Sequence, residues 1–336
     1  MKKFLLVILA LIVVMLIAYF VGPKFPQPKL NAELPSVQIP INELDSFLVT
    51  KESNLRIKPG NESRIIWYKD SLKNKTPYCL LYLHGFSASW FEGNPVHADF
   101  ARRYGMNLYI PLLASHGIET TDALLDMTPE RLYKSAKEAL VIAHLLGEKV
   151  VLMGTSTGGT LMLKLAADFP ELVDGLILYS PNIAINNPAA FLLSRAWGLQ
   201  IARKVYNGNY RVTNTDSTST DCQYWNCKYR LEAIVYLQQL VESTMTKATF
   251  KKVTQPVFLG YYYKDAENQD QVVKVDAELQ MFNLLSTPEN LKQKVAFPDA
   301  GTHTIACKLF SAAWQQVEAS SFQFAEEKLG LVPVME

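Results

Sequence analysis

One serine of this chain stands in a setting that makes it a candidate nucleophile. Gly154-Thr155-Ser156-Thr157-Gly158 is a G-x-S-x-G motif that follows the strand-like run Lys149–Met153 and precedes a helix-like pattern with Leu161 and Leu165 on one face. The flanking glycines permit a sharp turn, which exposes the serine at the carboxyl end of the strand and in front of the helix dipole. We therefore interpret Ser156 as a nucleophile and not as a helix cap.

A serine alcohol is a weak nucleophile until a base takes its proton. His303 is the best candidate for this base, because Gly301-Thr302-His303-Thr304 forms a loop between the last predicted strand and a final helix predicted from about 306 to 327. A side chain in that loop can reach the carboxyl edge of a parallel sheet. His97 and His144 fall on predicted helices, so we interpret them as packing or surface residues.

Other kinds of site are excluded or disfavoured by the sequence. Gly154 and Gly159 have the spacing of phosphate-loop glycines, but Thr160-Leu161 stands where Lys and Ser/Thr are required. The formal net charge of +1, from 33 basic and 32 acidic residues, argues against a nucleic-acid partner. The five histidines are scattered, so we predict no metal and no cofactor. Cys222 and Cys227, the nearest cysteine pair, can form a disulfide if the domain is exported.

The elements that must position Ser156 and His303 alternate between strands and helices, which predicts an α/β fold with a mostly parallel sheet flanked by helices. Pro129, after Thr128 as N-cap, begins one helix that Gly147 ends. The rhythm breaks between about 182 and 252, which we interpret as a cap inserted over one end of the sheet. The predicted strands are Tyr78–Leu83, Asn107–Leu113, Lys149–Met153, Val173–Tyr179, Pro256–Tyr263 and Lys294–Phe297.

The cap is rich in aromatic residues, which either line an acyl pocket or pack the cap onto the sheet, and we favour packing. Trp90 and Phe91 can contribute to the same mouth. The aromatic residues of the cap are Phe191, Trp197, Tyr206, Tyr210, Tyr224, Trp225 and Tyr229.

The first residues predict a membrane segment. Lys2 and Lys3 precede the uncharged run Phe4–Val21, which as a helix spans about 27 Å, close to the hydrocarbon thickness of a bilayer. The run ends without the small residues of a cleavage site, so we predict a signal anchor over 1–22 and leave a cleaved signal as the alternative. The N-terminal lysines favour an exported (periplasmic or extracellular) domain, and the proline-rich stretch 23–45 is a predicted linker.

These features together resemble the α/β-hydrolase family, more closely its lysophospholipase-like and monoacylglycerol-lipase-like members. The resemblance covers roughly 64–330, within a predicted hydrolase domain over 46–336, and implies the chain order serine, acid, histidine. The acid is expected in the loop after the fifth predicted strand. Asp270-Gln271-Val272-Val273 matches the family pattern of Asp, any residue and two aliphatics, so we assign Asp270, with Asp265 and Glu267 as alternatives in this unusually long loop.

The resemblance also implies an oxyanion hole made by two backbone N–H groups. One belongs to Thr157, the residue after the nucleophile. The family supplies the other after a His-Gly pair that ends an early strand, which assigns Phe86 in His84-Gly85-Phe86 and leaves His84 a structural role.

The expected activity is hydrolysis of an ester or thioester of a lipid-like acid, such as a lysophospholipid or monoacylglycerol, through an acyl-enzyme. The lipid preference rests on the resemblance and on the predicted anchor. A peptidase or an acyltransferase uses the same residues, and a non-catalytic binding protein is a further alternative. Same-fold dehalogenases and epoxide hydrolases usually carry Asp at the nucleophile position, so Ser156 argues against them.

Overall fold

The computed structural model describes residues 2–334, so Met1, Met335 and Glu336, at the ends of the predicted anchor and hydrolase domain, lie outside the described residues. The strands are, in chain order, β1 (Arg64–Ile66), β2 (Thr76–Leu83), β3 (Asn107–Ile110), β4 (Gly147–Thr155), β5 (Gly175–Tyr179), β6 (Tyr210–Val212), β7 (Lys228–Arg230), β8 (Val257–Tyr261) and β9 (Lys292–Ala296). The α-helices are α1 (Lys2–Val21), α2 (Leu44–Glu52), α3 (Val96–Arg103), α4 (Pro129–Leu146), α5 (Thr157–Asp168), α6 (Gly198–Val205), α7 (Thr220–Tyr224), α8 (Glu232–Thr244), α9 (Lys247–Phe250), α10 (Val275–Leu284) and α11 (Trp314–Lys328).

Seven strands form one sheet in the order β1-β3-β2-β4-β5-β8-β9. Each neighbouring pair is parallel except β1 with β3, which is antiparallel. The central strands are almost continuous apolar runs, as expected for strands that are covered on both faces. The predicted α/β fold with a mostly parallel sheet is confirmed.

Side chains along the central strands alternate between two cores, one on each face of the sheet. Leu81 of β2 and Leu152 of β4 pack with α4 and α5, whereas Tyr82 and Met153 pack with α3 and α11. This period of two is the geometry of a pleated strand. Because both faces are covered, the carboxyl end of β4 is held in place where Ser156 follows.

Helix α4 has the boundaries that its sequence predicts. The Thr128 side chain accepts a hydrogen bond from the Arg131 N–H at 3.3 Å, and Pro129 occupies the first helical position. Ala136 and Leu140 are fully buried on the face that meets the sheet, and Gly147 caps the other end.

The last helix was predicted to begin near Ala306, and this is wrong. Helix α11 begins at Trp314, because the chain before it is bonded across to the loop that precedes α3. The Lys308 N–H donates to the Asn94 carbonyl at 3.0 Å, and Cys307, which is fully buried, forms a bridge with Pro95. These contacts take the backbone groups that an earlier helical turn requires.

The insertion between β5 and β8 contains α6–α9 and the antiparallel pair β6–β7. A disulfide joins Cys222 in α7 to Cys227, just before β7. The bounds of 182 and 252 for the cap remain predictions.

Helix α1 is exposed along its whole length, and an 18-residue window of it has a mean hydropathy of 3.3. It is the one helix within residues 2–334 that is long and apolar enough to cross a membrane. The following chain has no regular secondary structure until residue 41, yet it is bound to the domain. Lys137 of α4 donates to the Asn31 Oδ1 and the Glu33 carbonyl, both at 2.6 Å. The predicted linker therefore packs on the domain, and its last residues form the turn Ile41–Glu43 and the start of α2.

Candidate active site

Ser156 occupies the turn between β4 and α5 in a strained backbone conformation. Its φ of 56° and ψ of −119° lie outside the regions that non-glycine residues favour, at a cost of about 1–3 kcal/mol. Neighbouring segments hold this conformation, because the Ser156 N–H donates to the Tyr179 carbonyl at 3.0 Å and its carbonyl accepts from the Asn182 N–H at 2.9 Å. The side chain, 6% exposed, lines a cavity.

The glycines of the motif allow the turn to touch the end of β2. A Cβ atom at Gly154 would lie 2.5 Å from the Leu83 carbonyl oxygen, and one at Gly158 would collide with the same oxygen. Backbone atoms cannot yield as a flexible side chain can, so both positions require glycine. The contact brings the segment after Leu83 beside Ser156.

His303 is held by Asp270. The His303 Nδ1 and the Asp270 Oδ2 are 2.6 Å apart, and the Asp270 Oδ1 accepts from the N–H groups of Val272 at 2.8 Å and Val273 at 3.1 Å. These bonds fix the imidazole with its proton on Nδ1 and leave Nε2 as the basic nitrogen. Nε2 is buried without a hydrogen-bond partner in the described residues, so its bond to Ser156 is not formed in this structure.

The pair is electrostatically coupled. Burial opposes the charged imidazole, but the Asp270 carboxylate outweighs burial and raises the pKa of His303 above its usual value. Burial likewise opposes ionisation of Asp270, and His303 with the two backbone amides overcomes it and lowers the pKa of this carboxyl. Asp270 is therefore a carboxylate suited to stabilise a protonated imidazole.

The folding of the long loop after β8 places Asp270 beside His303. Tyr263 and Gln269 form an antiparallel bridge, so the residues between them make a small excursion whose tip carries Asp265. The Asp270 N–H then donates to the Tyr262 carbonyl at 3.2 Å, at the end of the strand. Asp265 and Glu267 are both exposed, and Asp265 binds Asn268. The structure brings Asp270 and His303 together and leaves the two alternatives in solvent.

The predicted oxyanion-hole residues lie on the two segments that meet at Ser156. Phe86 lines the same cavity, and a Cβ atom at Gly85 would lie 3.0 Å from the Ser156 Cβ. Thr157 is the first residue of α5, so its N–H has no acceptor in a preceding helical turn. Their role as the two donors stays a prediction.

His84 has a structural position. Its Nε2 accepts from the Leu113 N–H at 3.2 Å, which ties the end of β2 to the segment after β3. Burial, and then the neighbouring His116, lowers the pKa of His84 to about 3, so the ring stays neutral. A neutral ring whose Nε2 accepts this bond is not available as a second base.

One acidic residue of the site was missed by sequence reasoning. Glu92, two residues after the noted Trp90, is 2% exposed and lines the cavity, and its Oε2 accepts from the Gly85 N–H at 2.5 Å. Asn182, which bonds the Ser156 backbone, was missed too. Neither carries a sequence signal, because an isolated acid or amide in a loop usually belongs to the solvated surface.

The cavity has a volume of about 580 Å³, and both Ser156 and His303 line it. Of the predicted aromatic residues, Tyr206, Trp225 and Tyr229 reach it. Others have different roles: Tyr224 stacks on Phe91 with ring centroids 4.2 Å apart, for example. The cap supplies a group of aliphatic side chains to the wall, namely Leu192, Leu193, Ile201, Val205, Ile234 and Leu237.

Among the described residues, one cluster has metal-ligand residue types close together, but it does not support a metal site. Asp221, Cys222 and Cys227 have ligand atoms within 4.8 Å of one another, but the two cysteines form the disulfide and offer no thiolate. The absence of a metal or cofactor stays a prediction.

Comparison with known proteins gives a family match over most of the chain. A family model described as alpha/beta hydrolase fold matches residues 78–301. "Uncharacterized protein Rv2715" of Mycobacterium tuberculosis (strain H37Rv) is 31% identical over 101 residues, which are 30% of this chain and 28% of that protein. A protein of Mycobacterium bovis, "Uncharacterized protein Mb2734", matches to the same extent. The chain thus matches less than a third of the length of these curated relatives.

Solved structures with the same fold cover most of the chain. One, described as "LipS and LipT, two metagenome-derived lipolytic enzymes", has a TM-score of 0.63 at 16% identity and covers 80% of this chain and 98% of its own. The monoacylglycerol lipase of Paleococcus ferrophilus has a TM-score of 0.55 at 14% identity, over 78% and 96%. A soluble variant of the Saccharomyces cerevisiae monoglyceride lipase, bound to a substrate analog, has a TM-score of 0.52 at 14% identity, over 90% and 99%. At such identities the likeness concerns the fold.

We expect Asp270→Asn to lower kcat by about 10⁴-fold, because the amide no longer fixes the imidazole tautomer or stabilises its charge. It also removes the cause that raises the pKa of His303, so the activity that remains should begin at lower pH than in the wild type. The measurement is kcat against pH for an ester substrate.

Asp265→Asn is the matched control, since it removes an acid from the same loop at an exposed position. It should leave kcat and its pH dependence unchanged. A large loss in Asp265→Asn together with an active Asp270→Asn contradicts the assignment.

Proposed function

The chain belongs to the alpha/beta hydrolase family, and from this premise we propose that it is a serine hydrolase of carboxylic esters, with Ser156, Asp270 and His303 as catalytic residues. The proposal depends mainly on the hydrogen bonding of the two ring nitrogens of His303. Its Nδ1 is bound to a buried carboxylate, whereas its Nε2 has no hydrogen-bond partner among residues 2–334, and its ring lines the cavity that Ser156 also lines. A histidine in this arrangement is ready to accept a proton from a serine hydroxyl.

In the proposed reaction, the Ser156 Oγ attacks the ester carbonyl carbon while the His303 Nε2 takes the hydroxyl proton. The carbonyl oxygen becomes an oxyanion that accepts hydrogen bonds from the N–H groups of Phe86 and Thr157. His303 returns the proton to the alcohol oxygen as the ester bond breaks, which leaves an acyl-enzyme. Water then attacks the acyl carbon while the His303 Nε2 takes a proton from it. His303 returns this proton to the Ser156 Oγ as the bond between Oγ and the acyl carbon breaks, and the carboxylic acid leaves.

The cavity favours a lipid-like acid. Its volume of about 580 Å³ lies within the usual range for small-molecule sites, and aliphatic side chains of the cap supply much of its wall. Such a wall binds an alkyl chain through the hydrophobic effect, at about 0.8 kcal/mol for each buried methylene. Two of the similar folds belong to a monoacylglycerol lipase and a monoglyceride lipase, which agrees with this substrate class.

We also propose that α1 anchors the chain in a membrane with the catalytic domain exported. The chain leaving α1 is bound to the cap, since the Trp197 N–H donates to the Pro23 carbonyl at 2.8 Å and Phe25 packs edge-on against Tyr236. The Trp197 Nε1 also donates to the Ala18 carbonyl at the end of α1, at 3.0 Å. These contacts keep the cap, and the cavity beneath it, close to the membrane surface. A disulfide between Cys222 and Cys227 agrees with an oxidising compartment.

The esterase proposal predicts hydrolysis of p-nitrophenyl esters by the full chain in detergent micelles. Activity should rise from acetate to medium or long acyl chains, because each added methylene fills more of the apolar cavity. Ser156→Ala should lower kcat by about 10⁶-fold, whereas Ser46→Ala, at an exposed position of α2, should not change it. A folded wild type that hydrolyses none of these esters contradicts the esterase proposal, and a preference for acetate contradicts the lipid-like substrate.

The anchor proposal predicts that the full chain, expressed in a bacterial host, stays in the carbonate-washed membrane fraction with an intact mass that includes α1. Ile8→Arg combined with Val14→Arg should release it, because a charge at the helix centre costs about 2.5–3.5 kcal/mol of insertion free energy. The matched control is Ile8→Leu with Val14→Leu, which keeps the helix apolar. A soluble exported form whose mass lacks α1 contradicts the anchor and favours the cleaved signal.

A further inference from the structure

Glu92 places a carboxyl group beside the proposed nucleophile, in a position that the proposed mechanism does not use. It lies in the short helical turn Trp90–Gly93, is 2% exposed, and lines the same cavity as Ser156 and His303. Its Oε2 accepts from the Gly85 N–H at 2.5 Å. Buried acidic groups outside ion pairs are rare, so this one calls for a physical explanation.

Gly85 lies beside both the Glu92 carboxyl group and Ser156 and allows both to approach closely. A Cβ atom at Gly85 would lie 2.8 Å from the Glu92 Oε1 and 3.0 Å from the Ser156 Cβ. The carboxyl group and the nucleophile therefore pack against the same side of Gly85. Phe86, which carries one of the two proposed oxyanion donors, is the next residue. The bond to the Gly85 N–H holds the His84–Gly85 peptide, which is joined through the Gly85 Cα to the peptide that carries the Phe86 N–H.

We propose that Glu92 is a positioning residue that works as an uncharged carboxylic acid, holding Gly85 so that the Phe86 N–H faces the oxyanion, and that loss of its proton in alkaline solution inactivates the enzyme. The inference rests on the proposed ester hydrolysis at Ser156. A neutral acid keeps its carbonyl oxygen for the Gly85 N–H and adds no charge. A carboxylate at the same place repels the oxyanion, and the repulsion is strong because the site is buried.

The surroundings of Glu92 favour the uncharged form. Burial raises the pKa of Glu92 to about 8, against the opposing effects of the Gly85 N–H and His303. The titratable groups that face it are His303, in the loop after β9, Tyr82 on β2, and Cys307, before α11. Burial raises the pKa of Tyr82 above its usual range and that of Cys307 to about 11, so both stay neutral near pH 8. Among the described residues, no lysine or arginine is one of the groups that face Glu92, so none of them stabilises its carboxylate form.

The pH dependence of kcat/KM follows from the protonation states that His303 and Glu92 require. His303 must lose its proton to act as a base, so kcat/KM rises as pH passes the raised pKa of His303. Glu92 must keep its proton, so kcat/KM falls as pH passes about 8. The profile is bell-shaped, and a single ionisation makes the alkaline limb fall about tenfold per pH unit.

The experiment measures kcat/KM against pH, from about 5 to 10, for the full chain in detergent micelles with a p-nitrophenyl ester, corrected for hydrolysis by Ser156→Ala. In Glu92→Gln the amide oxygen can still accept from the Gly85 N–H but the side chain cannot ionise. We therefore expect the alkaline limb to disappear or to move up by more than one pH unit. Glu92→Ala should lose the limb and also lower the plateau of kcat/KM, because the Gly85 N–H loses its partner.

Two further glutamates serve as matched controls. Glu318 on α11 also has a raised pKa, of about 7, but lies away from the cavity beside Asp99. Glu278 on α10 is fully buried, and its charge would act on Asp270. The variants Glu318→Gln and Glu278→Gln should both keep the wild-type alkaline limb.

An alkaline limb that is unchanged in Glu92→Gln, or one that moves in Glu278→Gln or Glu318→Gln instead, overturns the inference. The position of a limb does not depend on how much of a variant is folded, so partial misfolding does not hide either result. A wild type that hydrolyses no ester is a different outcome, because it contradicts the proposed function itself before Glu92 is tested.

Discussion

The carbonyl group of Leu83 touches the turn that carries Ser156, and the arrangement of the site depends on this contact. Gly154 and Gly158 permit it, because a side-chain carbon at either position would run into the Leu83 oxygen. The contact joins the ends of two parallel strands, β2 and β4, so the backbone after β2 lies against the nucleophile. Gly85 acts in a similar way in the segment after β2, because its missing side chain leaves room for Ser156 and Glu92 on the same side of the backbone.

Around this backbone contact, the two acidic groups of the site have opposite electrostatic environments. Asp270 receives two backbone N–H groups and the imidazole of His303, which keep it ionised although it is buried. Within the described part of the chain, the Glu92 carboxyl accepts one hydrogen bond, from the Gly85 N–H, and burial favours its uncharged form. Pairs of acids whose environments separate their pKa values are a common way for an enzyme to obtain an ionised and a neutral carboxyl at one pH. The proposed chemistry requires the first beside the histidine and the second beside the oxyanion.

The features that could be predicted from sequence are those that short segments determine. The turn at Ser156 follows from small residues at fixed spacing between a strand and a helix, and α4 follows from Thr128, Pro129 and an apolar face. The sheet follows from the alternation of elements. The contact between Asp270 and His303 agrees with the family pattern that the residues after Asp270 match, and the catalytic role of Asp270 stays a prediction.

The features that could not be predicted depend on contacts between distant parts of the chain. Helix α11 begins late because Lys308 bonds to Asn94, which no local pattern shows. Glu92 is buried and bonded to the Gly85 N–H, a contact across the fold, whereas by residue type alone it belongs on the surface. The aliphatic walls of the cavity come from cap segments whose arrangement depends on how they pack over the sheet.

The formation of a covalent intermediate on Ser156, with help from His303, can be measured by intact-mass spectrometry after reaction with an alkyl fluorophosphonate. We expect one adduct per chain, located by peptide mapping at Ser156 and lost in His303→Ala. Its formation should slow as pH falls below the raised pKa of His303, because only the neutral imidazole accepts the serine proton. An adduct at another residue, or no adduct on a protein that hydrolyses esters, contradicts the role of Ser156 as the nucleophile.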